Sequence, residues 1–254
     1  MNKIRIMGEE KKQEVLYGMH SVMEALLQGK ELDKVFIRKS LQNERSRELV
    51  KLLRDYDIPF QFVPQEKLQR ITSKNHQGVI ALGSLIEYGN LDATIPGLFE
   101  QGEVPFILIL DGITDVRNLG AIARTAECVG VNALLLPMKG SAQINADAIK
   151  TSSGALLNLN VCRTEKLSDA VQYLKNSGLK IISATEKASQ TYFSADLNGP
   201  VALIIGSEER GISTELIALS DIHVKIPVLG KVNSLNASVA GAVMMYEILR
   251  QRIH

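Results

Sequence analysis

"FILILDGITDVRNLGAIARTAECVGVNALLLP", residues 106–137, decides the fold. Its two ends are short apolar runs, of the length of a strand buried on both faces. Between them Leu119, Ile122, Ala123 and Ala126 recur at helical spacing, so the stretch reads as a βαβ unit. Further on, "LKIISAT" (179–185), "VALIIG" (201–206) and "IHVKIPV" (222–228) are apolar, rich in β-branched residues and separated by helical stretches. That pattern predicts an α/β domain with a buried, mostly parallel sheet and helices on both faces.

Upstream, "GMHSVMEALLQG" (18–29) predicts a helix and "KVFIRK" (34–39) a strand. "NERSRELVKLLRDYD" (43–57) predicts a helix with Leu49, Leu52 and Leu53 on one face, followed by strands at "FQFVP" (60–64) and "QGVIALGS" (77–84). Residues 12–86 are therefore expected to form a smaller α/β domain. Residues 87–104, with Gly, Pro and acidic residues and no clear long period, are expected to be a linker, and residues 105–254 the larger domain. No internal repeat or low-complexity tract interrupts this plan.

The 254 residues are 45% apolar and 22% charged, an ordinary globular composition. No apolar run approaches the ~20 residues of a membrane span, and "MNKIRIMGEEKKQ" lacks the apolar stretch of a secretory signal, so the expected location is the cytoplasm, with no membrane partner. Cys128 and Cys162 form no CxxC and have no nearby His pair; they read as reduced, buried thiols. His20, His76, His223 and His254 have neither ligand nor triad spacing, which argues against a metal site or a hydrolase. A net charge of +1 provides no global field for an acidic partner. Between Lys34 and Arg54, however, seven basic residues face two acidic ones, which reads either as a solvated helix face or as a patch for RNA phosphates.

Three segments beyond predicted strands could carry chemistry, since open α/β sheets place ligand sites there. In "DGITDVRNLGAIARTA", Asn118 could cap the following helix, and Gly120 lets another chain or a ligand approach. Arg124 lies in a run of small and apolar residues, where a long cation must reach solvent or meet an anion. In "LIIGSEERGIS", Gly206 and Gly211 bracket a turn that holds Glu208 at the strand tip. It is not a phosphate loop, because no Lys follows the last Gly, and it lacks the GxGxxG order of a dinucleotide site. In "IPVLGKVNSLNASVAGAVMMYEILRQ", Leu235, Val239, Ala242, Val243, Tyr246 and Leu249 form an apolar stripe expected to dock on the core. Ser234 or Asn236 can cap that helix, and close packing is the expected reason for Gly241 inside it.

These three segments, in this order, resemble the three motifs of the SpoU branch of the SPOUT methyltransferases: "NLGAIARTA", "LIIGSEERGIS" and "IPVLGKVNSLNASVA". The likeness runs from about residue 106 to 252. The first domain also resembles that family's L30e-like RNA-binding extension, with "YGMHSVMEAL" and "HQGVIAL" at its ends. The resemblance implies S-adenosylmethionine as methyl donor, no metal, a trefoil knot, and a homodimer whose active site draws on both chains. It points to the subgroup that methylates a guanosine ribose in 23S ribosomal RNA; a transfer-RNA enzyme and a non-catalytic RNA-binding relative are the alternatives. By the family's pattern Gly206, Ile226 and Leu235 contact the donor through backbone groups, with Thr185, Ser207, Gly211, Leu229, Gly230 and Ser238 around it. Arg124 would bind the target phosphate and stabilise the ribose oxygen, oriented by Glu208, with Asn118, Ser234 and Asn236 completing a polar wall. A guanidinium holds its proton too tightly to be a good base, so Arg124 is assigned electrostatic work.

Overall fold

A computed structural model describes residues 14–56, 58–231 and 234–253, which leaves Asn233, residues 12–13 and His254 outside it. The chain divides into two compact units, Met1–Leu85 and Ile86–His254. Among the described residues no helix is long and apolar enough to cross a membrane.

The first unit runs β1 (Val15–Tyr17), α1 (Met19–Leu27), β2 (Leu32–Arg38), α2 (Glu44–Asp55), β3 (Phe60–Val63), α3 (Gln65–Ile71) and β4 (Val79–Gly83). Its sheet has the order β1-β4-β2-β3, with β3 at one edge, parallel to β2. Side chains alternate across β2, which gives the sheet two cores. Val35 and Ile37 pack with Val22 and Leu26 of α1 and Leu49 and Leu53 of α2. Phe36 faces the other way, onto Leu68 of α3. Asn43 starts α2 by accepting the Ser46 N–H at 2.8 Å. Strand β1 and helix α3 are too short to leave a periodic signal.

The second unit runs β5 (Tyr88–Gly89), α4 (Leu91–Glu100), β6 (Phe106–Asp111), α5 (Val116–Cys128), β7 (Ala133–Pro137), α6 (Ala146–Thr151), β8 (Val161–Thr164) and α7 (Leu167–Asn176). It continues through β9 (Lys180–Ala184), β10 (Gln190–Thr191), β11 (Val201–Gly206), α8 (Thr214–Leu219), β12 (Ile222–Lys225) and α9 (Ala237–Arg252). Among the described residues these strands make one sheet, β10-β12-β9-β11-β6-β7-β8-β5, parallel at every pairing. Along β6, Phe106, Leu108 and Leu110 point into the core with α5 and α9, while Ile107 and Ile109 enter the opposite core with α4 and α7. That double burial is why β6 is apolar without alternation.

Four features differ from the sequence reading. Residues 87–104 are not a bare connector: they carry β5, which pairs with β8, and α4, capped by Asn90 and buried through Ile95. Gly120 makes room for α6 of the same chain, since a Cβ there would meet Thr151 Cβ at 2.7 Å. Cys162 is buried, and desolvation pushes its thiol up to about 11, whereas Cys128 is exposed at the end of α5. Helix α9 docks through Ala237, Gly241, Met244, Met245 and Ile248, so of the stripe expected to be buried Leu249 packs against the core while Val239, 48% exposed, and Tyr246, 53% exposed, point outward.

Candidate active site

The parallel strands β6 and β11 are neighbours in register, Gly206 beside Asp111, so the turn after β11 stands next to the entry of α5. Two contacts shape this turn, residues 207–211. The Gly211 N–H donates to the Ser207 carbonyl at 2.8 Å, and the Ser213 N–H donates to Asp111 Oδ2 at 2.7 Å. Both glycines are required. Gly211 sits at φ +68°, and a Cβ on Gly206 would lie 2.2 Å from the Gly211 carbonyl carbon.

Asp115, rather than Asn118, caps α5; its Oδ1 accepts the Arg117 and Asn118 N–H groups at 2.8 Å. That leaves the Asn118 side chain free in the first turn, where its Nδ2 donates to Glu208 Oε1 at 2.9 Å. Asn236 caps α9, its Oδ1 accepting the Ser238 N–H at 2.9 Å. The same residue's Nδ2 donates to Asn118 Oδ1 at 3.0 Å and also to Glu208 Oε1. The Ala237 N–H completes the set on Glu208 Oε1 at 3.2 Å. One carboxylate oxygen thus ties together the N-termini of two helices and a strand tip. A carboxylate is the right group there, because both helix ends present unpaired N–H groups and partial positive charge.

Two cavities share Glu208 as a wall. One, of about 310 Å³, lies at the C-terminal ends of β9, β11 and β12 and is lined by Thr185, Gly206, Ser207, Gly211, Ile226, Ser234 and Leu235. Its mix of aliphatic side chains and a polar rim matches small-molecule sites of this size class. The other, of about 720 Å³, is more polar; Asp111, Asn118, Lys139, Lys166 and Arg210 line it. Of the remaining expected residues, Leu229 is fully exposed and Gly230 has open space around it. Ser238 lies off the cavity wall, donating through Oγ to Asn236 Oδ1 at 2.5 Å.

Arg124 is not held by Glu208. It lies six residues beyond Asn118, about 9 Å along the helix axis and about 120° round it. The side chain is exposed, lines neither cavity, and has no hydrogen bond or ion pair among the described residues. Sequence reasoning missed Glu186, Lys187 and Val228 in the smaller cavity, and in the larger one it named Asn118, Ser207 and Glu208 but not Asp111, Lys139, Lys166 or Arg210. Only the parallel pairing of β9 with β11 brings the first two to the site, and no local pattern reports that pairing. Among the described residues no group of three His, Cys, Asp or Glu could hold a metal ion.

Residues 105–246 match the SpoU rRNA Methylase family, and residues 15–88 match the RNA 2'-O ribose methyltransferase substrate binding family. A protein of Staphylococcus saprophyticus described as a TrmH family tRNA/rRNA methyltransferase is 35% identical over 238 residues, 94% of this chain and 96% of that one. The SpoU methyltransferase AviRb of Streptomyces viridochromogenes, solved with the cofactor AdoMet, shares the fold: TM-score 0.59, 24% identity, 95% of this chain and 91% of its own. The A. aeolicus TrmH/SpoU tRNA modifying enzyme has a TM-score of 0.55 at 28% identity, over 64% of this chain and 84% of its own.

Proposed function

Because the chain belongs to the SpoU rRNA methylase family of RNA methyltransferases, we propose that it methylates a ribose 2′-hydroxyl, with a guanosine of 23S ribosomal RNA as target and S-adenosylmethionine as donor. The observation that carries this reading is the position of Glu208, shared by both cavities and bonded to Asn118 and Asn236. The smaller cavity takes the donor: Ile226 and Leu235 flank a flat apolar group, while Thr185, Ser207 and the backbone around Gly206 and Gly211 meet its polar edges. Bound there, S-adenosylmethionine supplies an electrophilic methyl group. The larger cavity takes the target nucleotide, with Lys139, Lys166 and Arg210 as cations for its phosphates.

The attacking hydroxyl is weakly acidic, so its oxygen must be positioned and its growing negative charge met as the proton leaves. Asn118, Ser234 and Asn236 provide the positioning, and Glu208 keeps Asn118 and Asn236 in place. Arg124 provides the charge. Since it stands apart from Glu208 in one chain, the site is completed in a homodimer. Its interface is the outward stripe of α9, which packs beside α5, and a second copy there delivers its own Arg124. The trefoil knot of the family belongs to the same reading.

The test is to map 2′-O-methyl marks across ribosomal and transfer RNA from a strain lacking the protein. One missing ribose mark in 23S RNA is the expected result; a missing transfer-RNA mark redirects the substrate, and an unchanged map removes the activity.

A further inference from the structure

The first unit carries a groove that methyl transfer does not use. Residues 1–85 hold 15 Lys and Arg against 11 Asp and Glu, whereas residues 86–254 hold 14 against 17, so positive charge is concentrated in the smaller unit. Arg47, Lys51 and Arg54 follow one another on α2 at the i, i+4, i+7 spacing of one helix face. Together with Lys39 and Phe62 they line a groove of about 690 Å³, in which Asp55 is the one acidic lining residue among the described residues. Among the described residues none of these four cations has an ion-pair or side-chain hydrogen-bond partner, so their charge is available to a ligand.

Phe62 supplies the second observation. It lies on edge strand β3 and is 44% exposed. Phe60, two residues earlier, braces it edge-on, with ring centroids 5.9 Å apart at 87°. An uncovered aromatic on an edge strand invites aggregation unless something with a planar apolar face takes its place there. A row of free cations beside one braced ring fits a chain of phosphates carrying exposed bases. A duplex buries the base faces that could stack on such a ring.

We propose that this groove binds an unpaired stretch of RNA, one base stacked on Phe62 and the flanking phosphates on Lys39, Arg47, Lys51 and Arg54. The inference rests on RNA being the substrate, and it assigns the smaller unit a single-strand mode of capture. It separates the cations, which set affinity and salt dependence, from Phe62, which sets the preference for single strands.

The experiment uses the full chain and a fluorescein-labelled RNA of about 12 nucleotides, alone or in a perfect duplex, with anisotropy followed over a salt series. Phe62→Ala is expected to weaken single-strand binding roughly tenfold or more, leaving duplex binding and the salt slope unchanged. The triple variant R47Q/K51Q/R54Q is expected to lower the single-strand salt slope by about 2. Thermal melting and calorimetric titration with S-adenosylmethionine should match the wild type in both variants. Wild-type protein that ignores the single strand, or Phe62→Ala that leaves its binding intact or weakens strand and duplex equally, overturns the proposal. If the donor fails to bind wild-type protein while the RNA results hold, the methyl-transfer reading fails and the groove stands.

Discussion

Asn236 does two jobs with one amide. Its Oδ1 closes the first turn of α9, and its Nδ2 reaches Asn118 and Glu208. The short polar residues on either side of Asn236 have places as well: Ser238, in the first turn of α9, bonds back to Asn236, and Ser234 lines the smaller cavity. Glu208→Ala leaves two amides and a helix N–H without their acceptor, so transfer should fall while the global melting point barely moves, because the cluster is solvent-facing. Methyl incorporation and thermal melting on one preparation check this. Arg124→Ala should lower transfer by roughly 10²-fold or more, with donor affinity by calorimetry close to wild type. A variant that methylates at the full rate removes Arg124 from the site.

At the scale of elements, α9 and α5 each carry an interior glycine, for different reasons. Gly241 of α9 has only ordinary neighbours: a Cβ added there would find its nearest contact, Ile205 Cγ1, at 3.8 Å. Close packing does not explain it. Gly241→Ala should therefore stabilise the protein by about 1 kcal/mol, the helix-propensity difference, read as a higher denaturant midpoint at unchanged slope. Gly120→Ala should do the opposite and cost about 1–3 kcal/mol, since its Cβ would collide with Thr151 and the Ala148 carbonyl of α6. The two glycines look alike in sequence; only the facing element distinguishes them.

The end of α9 is tied down by a polar cluster. Glu247, 7% exposed, accepts from Arg250 at 2.8 and 2.9 Å and from Gln251 at 2.8 Å. Gln251 in turn bonds the Leu197 N–H and the Ala195 carbonyl. The Arg250 hydrogen bond holds the Glu247 carboxyl below the ordinary value of 4.5. A depressed carboxylate contributes stability that is present above the unfolded value and disappears as pH falls through the folded one. Denaturation measured between about pH 3 and 6 should show Glu247→Gln losing less stability on acidification than wild type. Equal acid slopes would take Glu247 out of the acid response.

For the whole molecule, the outward stripe of α9 is the feature that asks for a partner. Val239 and Tyr246 are about half exposed, and Ile253 continues the line at 64%. On the proposed dimer, Val239→Asp with Tyr246→Glu should give a monomer by sedimentation, with the fold intact by circular dichroism and transfer lost. An active monomer would place the complete site within one chain.

The sequence by itself determined the βαβ unit, the two-part plan, the parallel sheet and the three segments that meet at Glu208. Each of these is written in local terms: apolar run length, helical spacing, and glycines where a turn needs them. Tertiary structure alone decided which face of α9 is buried, which Asx side chain caps α5, and that Glu208 holds Asn118 and Asn236 instead of Arg124. The physical reason is that an apolar stripe specifies burial without specifying the partner, and a hydrogen-bonding side chain takes whichever donor the neighbouring strands bring within about 3 Å. Strand adjacency between residues about 100 positions apart, as at Asp111 and Gly206, leaves no trace in either local pattern.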